Sequence, residues 1–254
     1  MQTGAITGYI DVAQLTLYVF WGFFFSLVYY LRQEDKREGY PLVNEPPERL
    51  PSQGYPPVPR PKTFILPHGG TVTAPHFEPP QPVIKATPIG PWQGAPLQPD
   101  GDPMVDGVGP AAYAQRRDEP DLSADGKNRI VPLRVATDFH LDEEDPEPRG
   151  MQVVGLDGVV AGTVVDVWVD RSEMMLRYLE VDAGGRLVLL PVPLSKVNGR
   201  TNQVNVASVK AAHFALAPVL RNPDQVSLLE EDRTSAFFAS GHLYATPERS
   251  EPII

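Results

Sequence analysis

From Val12 to Leu31 the chain carries twenty residues without a formal charge, bracketed by Asp11 and Arg32. At a rise of about 1.5 Å per residue, such a run makes a helix about 30 Å long, the thickness of a bilayer's hydrocarbon core. The run therefore predicts one transmembrane α-helix. Asp11 followed three residues later by Gln14 has the form of a capping box that starts it. No Lys or Arg precedes the run, whereas Arg32, Lys36 and Arg37 follow it closely. Positive charge next to a span stays inside, so residues 1–11 are expected to be a periplasmic tail and the long C-terminal part cytoplasmic. A cleaved signal peptide is the alternative, but it has a basic start, a shorter apolar run and a small-residue cleavage site, none of which is found here. The run is apolar and aromatic all round, which argues against the amphipathic helix of a soluble protein.

Within the run, Gly22 and Ser26 stand four apart and share a face on which a partner helix could pack closely. Tyr29 and Tyr30 fall at the inner interface and read as anchors. The mixed charges from Arg32 to Glu38 read as a solvated helix end, stopped by Gly39 and Pro41.

Residues 32–110 form the next region. Pro41 to Pro110 holds nineteen of the chain's 29 prolines, which excludes regular helix and any central strand and predicts an extended arm. Phe64, Ile65, Leu66, Val83, Ile84 and Trp92 are large apolar residues in that arm. Such residues favour burial, so the arm is expected to lie ordered across a larger surface. The formal charge of −10 argues against a nucleic-acid partner, and the absence of cysteine removes disulfides, thiolate metal sites and a thiol nucleophile.

Residues 111–244 read as a mainly β domain. Met151 to Val154, a turn at Leu156-Asp157-Gly158 and Val159 to Asp170 predict a hairpin. Val165, Val167 and Val169 alternate with Asp166, Trp168 and Asp170, the pattern of a half-buried strand. Leu176 to Val181 and Arg186 to Val192 add strands, and together they predict a small antiparallel barrel. A short helix is expected over Ser208 to Leu216, and Val226 to Tyr244 runs on through Glu230, Glu231 and Asp232. Residues 245–254 read as a loose tail.

Four stretches in this order resemble the H subunit of the purple-bacterial photosynthetic reaction centre. They are Arg37-Glu38-Gly39-Tyr40-Pro41-Leu42, then Pro61-Lys62-Thr63-Phe64-Ile65-Leu66-Pro67-His68-Gly69, then Gly101-Asp102-Pro103-Met104 with Asp106-Gly107-Val108-Gly109-Pro110, and finally Val165-Asp166-Val167-Trp168-Val169-Asp170. The resemblance runs on to Tyr244-Ala245. It implies one helix beside the L and M subunits of an intracytoplasmic photosynthetic membrane, with light-harvesting antenna and a cytochrome subunit as further neighbours and lipids in the seams. It implies that the complex holds bacteriochlorophyll, bacteriopheophytin, quinones, non-haem iron and carotenoid, and that this chain binds none of them alone. On this resemblance the barrel is of the kind named for this complex, the arm is a strap over L and M, and the chain is a non-catalytic subunit that shields the secondary quinone and helps deliver protons to it.

Proton delivery to a site away from bulk water needs carboxylates and water within hydrogen-bond reach, with carboxyl pKa values raised by burial or by neighbouring charge. Asp170 and Glu173 flank one turn and are expected at one rim of the barrel. The resemblance assigns the proton-path acid to Glu173, with Asp170 at the entry side and Arg177 balancing their charge. Some members carry two histidines after an Asp-Gly before the barrel, and these also bind metal. This chain reads Asp125-Gly126-Lys127-Asn128-Arg129, so no metal site is carried over. Asp121 and Asp125 are left as acidic antennae, with Lys127 and Arg129 altering the local field and His140 a surface residue. His68, His76, His213 and His242 read as structural, the last two in apolar settings. The competing reading is a membrane-tethered adaptor whose barrel binds another protein. A hydrolase lacks its motifs here: there is no G-x-S-x-G, H-E-x-x-H or Gly-rich phosphate loop.

Overall fold

The computed structural model describes residues 4–7, 9–44, 48–49, 52–67, 69–75, 83–92 and 94–250; the expectations for His68 and His76 lie outside them. The chain divides into two compact units. One runs to Val83 and takes in Trp92–Gly94; the other comprises Ile84–Pro91 and the chain from Ala95 onward. The stretch expected as a single arm is thus shared between them.

The first unit is built on helix α1 (Val12–Glu34), which extends one turn past the charge-free run and buries none of its residues in the chain. Among the described residues it is the one helix long and apolar enough to cross a membrane. Half of the expected capping box is present. The Asp11 carboxylate accepts the Gln14 N–H at 2.7 Å, but the Gln14 side chain donates to the Tyr18 hydroxyl at 2.8 Å instead of turning back. The Ser26 hydroxyl donates to the Gly22 carbonyl at 2.8 Å, so its polarity is satisfied inside the helix, as a hydrocarbon setting requires.

The end of α1 is solvated at Arg32 and Asp35, as expected, but not at Lys36. Lys36, in a 3₁₀ turn over Asp35–Arg37, is only 5% exposed. Its ammonium donates to the carbonyls of Gln53 at 2.8 Å and Pro56 at 2.6 Å and lies over the Tyr40 ring. Arg37 grips Glu34 through two nitrogens and donates to the carbonyls of Arg60 and Ala74. The reason is local: a Pro-rich chain has many carbonyls and few N–H groups, so cations are its natural partners. Short pairs complete the unit: β1 (Val43–Asn44) with β2 (Glu48–Arg49), and β3 (Lys62–Ile65) with β4 (Thr71–Ala74). Lys36→Met is expected to weaken this seat by about 3 kcal/mol, because two charge-assisted hydrogen bonds go at once. Cleavage near Gln53 in limited proteolysis should then run roughly a hundredfold faster, and an unchanged rate would show that the lysine is a bystander.

In the second unit, β5 (Ala86–Pro88) pairs with β6 (Leu97–Pro99). A single helical turn follows, α2 (Pro103–Asp106). It corrects the expectation of no helix in the Pro-rich region: Pro103 occupies the first helical position, where its missing N–H costs nothing, and Asp102 caps it.

The main sheet holds β7 (Ile130–Pro132), β8 (Gln152–Val154), β9 (Val160–Asp170), β10 (Met175–Asp182), β11 (Leu187–Pro191), β12 (Ser195–Asn198) and β13 (Gln203–Val206). Its order is β11-β10-β9-β8-β13-β12, with β7 also on β9. The sheet is the mainly antiparallel one expected, except that β13 joins β8 in parallel, and its hydrogen-bonded path ends at β11 and β12. The long connection from β8 to β13 gives the crossover that a parallel pair needs.

Strand β9 also departs from simple alternation. Its pairing to β10 skips Val165, which bulges out 44% exposed, and the inside-outside phase resets there. After the bulge, both faces are covered. Val167 and Val169 enter a core with Leu179, Val181, Val188 and Leu190. Trp168 enters a second cluster with Ile130, Tyr178, Leu189 and Val226. Gly162 is required where β9 passes the backbone of β10, since an added Cβ would clash with the Asp182 carbonyl oxygen.

The segment expected as a short helix after the sheet is a 3₁₀ turn, Ala211–Ala215, in which His213 Nδ1 accepts the Lys210 N–H at 3.1 Å. Helix α3 (Leu228–Tyr244) opens with a reciprocal Ser227–Glu230 capping box and buries Phe237 and Phe238. His242, expected in an apolar setting, is exposed on its last turn. The tail is held as far as Arg249, whose guanidinium donates to the carbonyls of Ala207, Ser208 and Gly241, so looseness from residue 245 is not what the fold has.

Candidate functional site

The Asp170–Glu173 turn is fixed from within. Asp170 ends β9, and its Oδ1 accepts the backbone N–H groups of Ser172 at 2.9 Å and Glu173 at 3.0 Å. Met174 closes the turn at φ +54°, a left-handed backbone that costs a non-glycine residue about 1–2 kcal/mol. Asp170 is fully buried, while the Glu173 side chain is 51% exposed.

The partner of both acids comes from 41 residues upstream of Asp170. Strand β7 pairs Ile130 with Asp170, and the Arg129 carbonyl accepts the Arg171 N–H at 2.9 Å. That register delivers the Arg129 guanidinium to the turn. Its Nε lies 3.0 Å from both Asp170 oxygens, its Nη2 lies 2.5 Å from Glu173, and its Nη1 lies 3.2 Å from Asp121. Asp121 arrives by a small hairpin, in which the Arg129 N–H donates to the Asp121 carbonyl and Leu122 bridges Asn128.

Of the expected residues, Asp121, Asp170 and Glu173 are therefore brought together. Arg177 is close but secondary. It is the extra residue of a bulge in β10, between Leu176 and Tyr178, and its Nε is 3.9 Å from Asp170. The balancing charge assigned to Arg177 is supplied mainly by Arg129. Asp125 is not part of the cluster; it sits at the hairpin tip, bonded to the Ser123 hydroxyl at 2.6 Å and to Lys127 at 3.1 Å. Those two contacts draw its pKa down to about 2.

The electrostatics divide the acids. Burial pushes Asp170 up, but Arg129 and the two turn N–H groups outweigh it and hold the carboxyl below the usual range. Asp170 is thus a fixed negative charge that pins the turn, not an acid poised near neutral pH. The raised carboxyl is Glu231 on α3, pushed up by burial and only partly offset by a hydrogen bond from the Tyr178 hydroxyl at 3.0 Å. Glu231, Tyr178, Asp121, Arg129, Arg177 and Asp232 line one cleft of about 360 Å³.

On the other flank of β9, Arg134 pairs with Asp166 at 3.0 Å and Glu180 at 2.6 Å, and Glu180 also accepts the Trp168 Nε1–H at 2.9 Å. Among the described residues no three His, Asp or Glu side chains are grouped to hold a metal ion.

Sequence reasoning gave Arg129 only a background role. The apolar Ile130-Val131 beside it is the one local sign of a strand that would carry it to the turn. Nothing local pairs Tyr178 with Glu231, which are 53 residues apart.

Two family models match this chain. One, described as the photosynthetic reaction centre H-chain N-terminal region, covers residues 4–135. The other, the PRC-barrel domain, covers residues 141–213.

Proposed function

Since the chain belongs to the photosynthetic reaction-centre H-chain family, and is thereby an accessory subunit of that complex and a single-pass protein of the photosynthetic membrane, we propose that it caps the quinone side of the L and M core and conducts protons to the secondary quinone. The observation that carries this reading is the Asp121–Arg129–Asp170–Glu173 cluster: three carboxylates drawn onto one guanidinium at a turn, with Glu173 half in solvent. Reduction to quinol takes up two protons. A carboxylate at such a rim accepts one from solvent and passes it inward, while the buried Asp170–Arg129 pair keeps its position fixed.

Further support comes from surfaces the chain leaves uncovered. Phe64, Ile65, Val83, Ile84 and Trp92 are 44% to 91% exposed, which suits a strap covered by L and M. On α1 nothing lies within 4 Å of a Cβ added at Gly22, so a neighbouring helix can approach along the Gly22–Ser26 face. Arg32, Lys36 and Arg37 at the far end of α1 favour a cytoplasmic barrel and a periplasmic N-terminus. In this reading the pigments, the quinones, the non-haem iron and the carotenoid belong to the complex, and this chain supplies protons, shape and charge. Antenna and cytochrome subunits are outer neighbours.

Glu173→Gln is the test. Flash kinetics on the intact complex should show the second electron transfer to the secondary quinone slowed on the order of a hundredfold, the low end of what a positioned proton-transfer group contributes, with primary charge separation unchanged. A wild-type second transfer in that variant would remove Glu173 from the path.

A further inference from the structure

We propose that Glu231 is a second protonatable station, a proton store on the cleft side of the Arg129 cluster, and that the Tyr178 hydroxyl sets how firmly the proton is held. The inference rests on the proton-conducting reading above and deepens it.

Asp166, Asp170 and Glu180 are buried, and each meets a guanidinium within 3.0 Å. For Asp170 the guanidinium and the two turn N–H groups hold the carboxyl below its ordinary range. Glu231 is treated differently. Its contact is a neutral phenol, Tyr178 Oη donating to Oε2 at 3.0 Å, and Tyr178 itself is 4% exposed. A carboxyl in that setting keeps its hydrogen bond in either protonation state: the phenol O–H donates to the carbonyl oxygen of the acid form and, more strongly, to a carboxylate oxygen.

The surroundings place the store beside the candidate path. On α3 the same cleft presents Asp232 and Ser235, and Asp232 is occupied by Arg116 at 3.1 Å. From β10 it presents Arg177 and Tyr178, and from the hairpin before β7 it presents Asp121 and Arg129. Asp121 and Arg129 belong at once to this cleft and to the Glu173 cluster. The two arginines favour the charged form of Glu231, while burial and Asp121 favour the neutral form, so the opposing influences leave the carboxyl raised from its ordinary range. Proton release is a simple dissociation, Glu231–COOH giving carboxylate and one proton to cleft water, with the Tyr178 O–H retained throughout.

An infrared pH titration of the intact complex in the dark tests this without turnover. Wild type should show a protonated-carboxyl C=O band that disappears as pH rises and that is missing in Glu231→Gln. Tyr178→Phe removes the donor to the ionised form, so the midpoint should move upward by about half a pH unit to one unit. An identical band in Glu231→Gln, or a midpoint in Tyr178→Phe that stays or falls, overturns the proposal. The dark titration decides the store alone, and the Glu173→Gln flash kinetics decide the path, so the two readings fail by different measurements.

Discussion

Arg129→Met is expected to destabilise the barrel unit by about 3–5 kcal/mol at neutral pH, the cost of leaving a buried charge without its partner. Asp170 has no exposed surface, and without the guanidinium it keeps the two turn N–H groups and the more distant Arg177 at 3.9 Å. The pH dependence carries the sign of the effect. In the wild type Asp170 titrates below its unfolded value, so its contribution stands at neutral pH and is lost as the medium becomes acid enough to protonate it in the fold. In the variant, burial is opposed only by the turn and the distant Arg177, and it raises the folded value. The penalty then stands at neutral pH and eases as pH falls and the carboxyl takes a proton. Urea midpoints of the detergent-solubilised chain, measured from about pH 4 to about pH 8, should show the gap between the two proteins narrowing toward acid. A gap independent of pH would mean that Arg129 acts by packing and not by charge.

Trp168→Ala is the second large effect, again about 3–5 kcal/mol. Trp168 is fully buried and joins Ile130, Tyr178, Leu189 and Val226 into the second cluster. Its Nε1–H is one of two donors to the buried Glu180, so truncation both opens a cavity and thins the shell of a buried charge. Thermal or urea unfolding checks it. A loss below about 1 kcal/mol would show that this face collapses readily and that the cluster is not a second core.

Why some of this was legible in the sequence and some was not follows from the range of each interaction. The membrane helix depends on length and composition alone, and both are written in consecutive residues. Strand positions were legible because β propensity and turn residues are local, and the Leu156-Asp157-Gly158 turn and the strand ending at Asp170 fall where the pattern puts them. Orientation within β9 was not legible, because the single unpaired residue at Val165 shifts the phase that alternation assumes to be constant. Asp170 lies on the face that alternation gives it; it read as a rim acid because it borders a turn, and it is an interior anchor because that face too is covered, with Arg129 over the carboxylate. The acids of the cluster were visible as an i, i+3 pair, but their cation depends on the pairing of β7 with β9, and the elevated carboxyl depends on how α3 lies over β10. Lys36 read as a solvated charge because nothing in its own helix signals the carbonyls of Gln53 and Pro56.

The pairing of β7 with β9 also bears on how such proteins can be recombined. Residues 130–132 fall inside the N-terminal match and their partners inside the barrel match. A chimera spliced at the seam between the two would draw Arg129 and Asp121 from one parent and Asp170 and Glu173 from the other. Each graft would need its electrostatics rebalanced before it could be judged on fold alone.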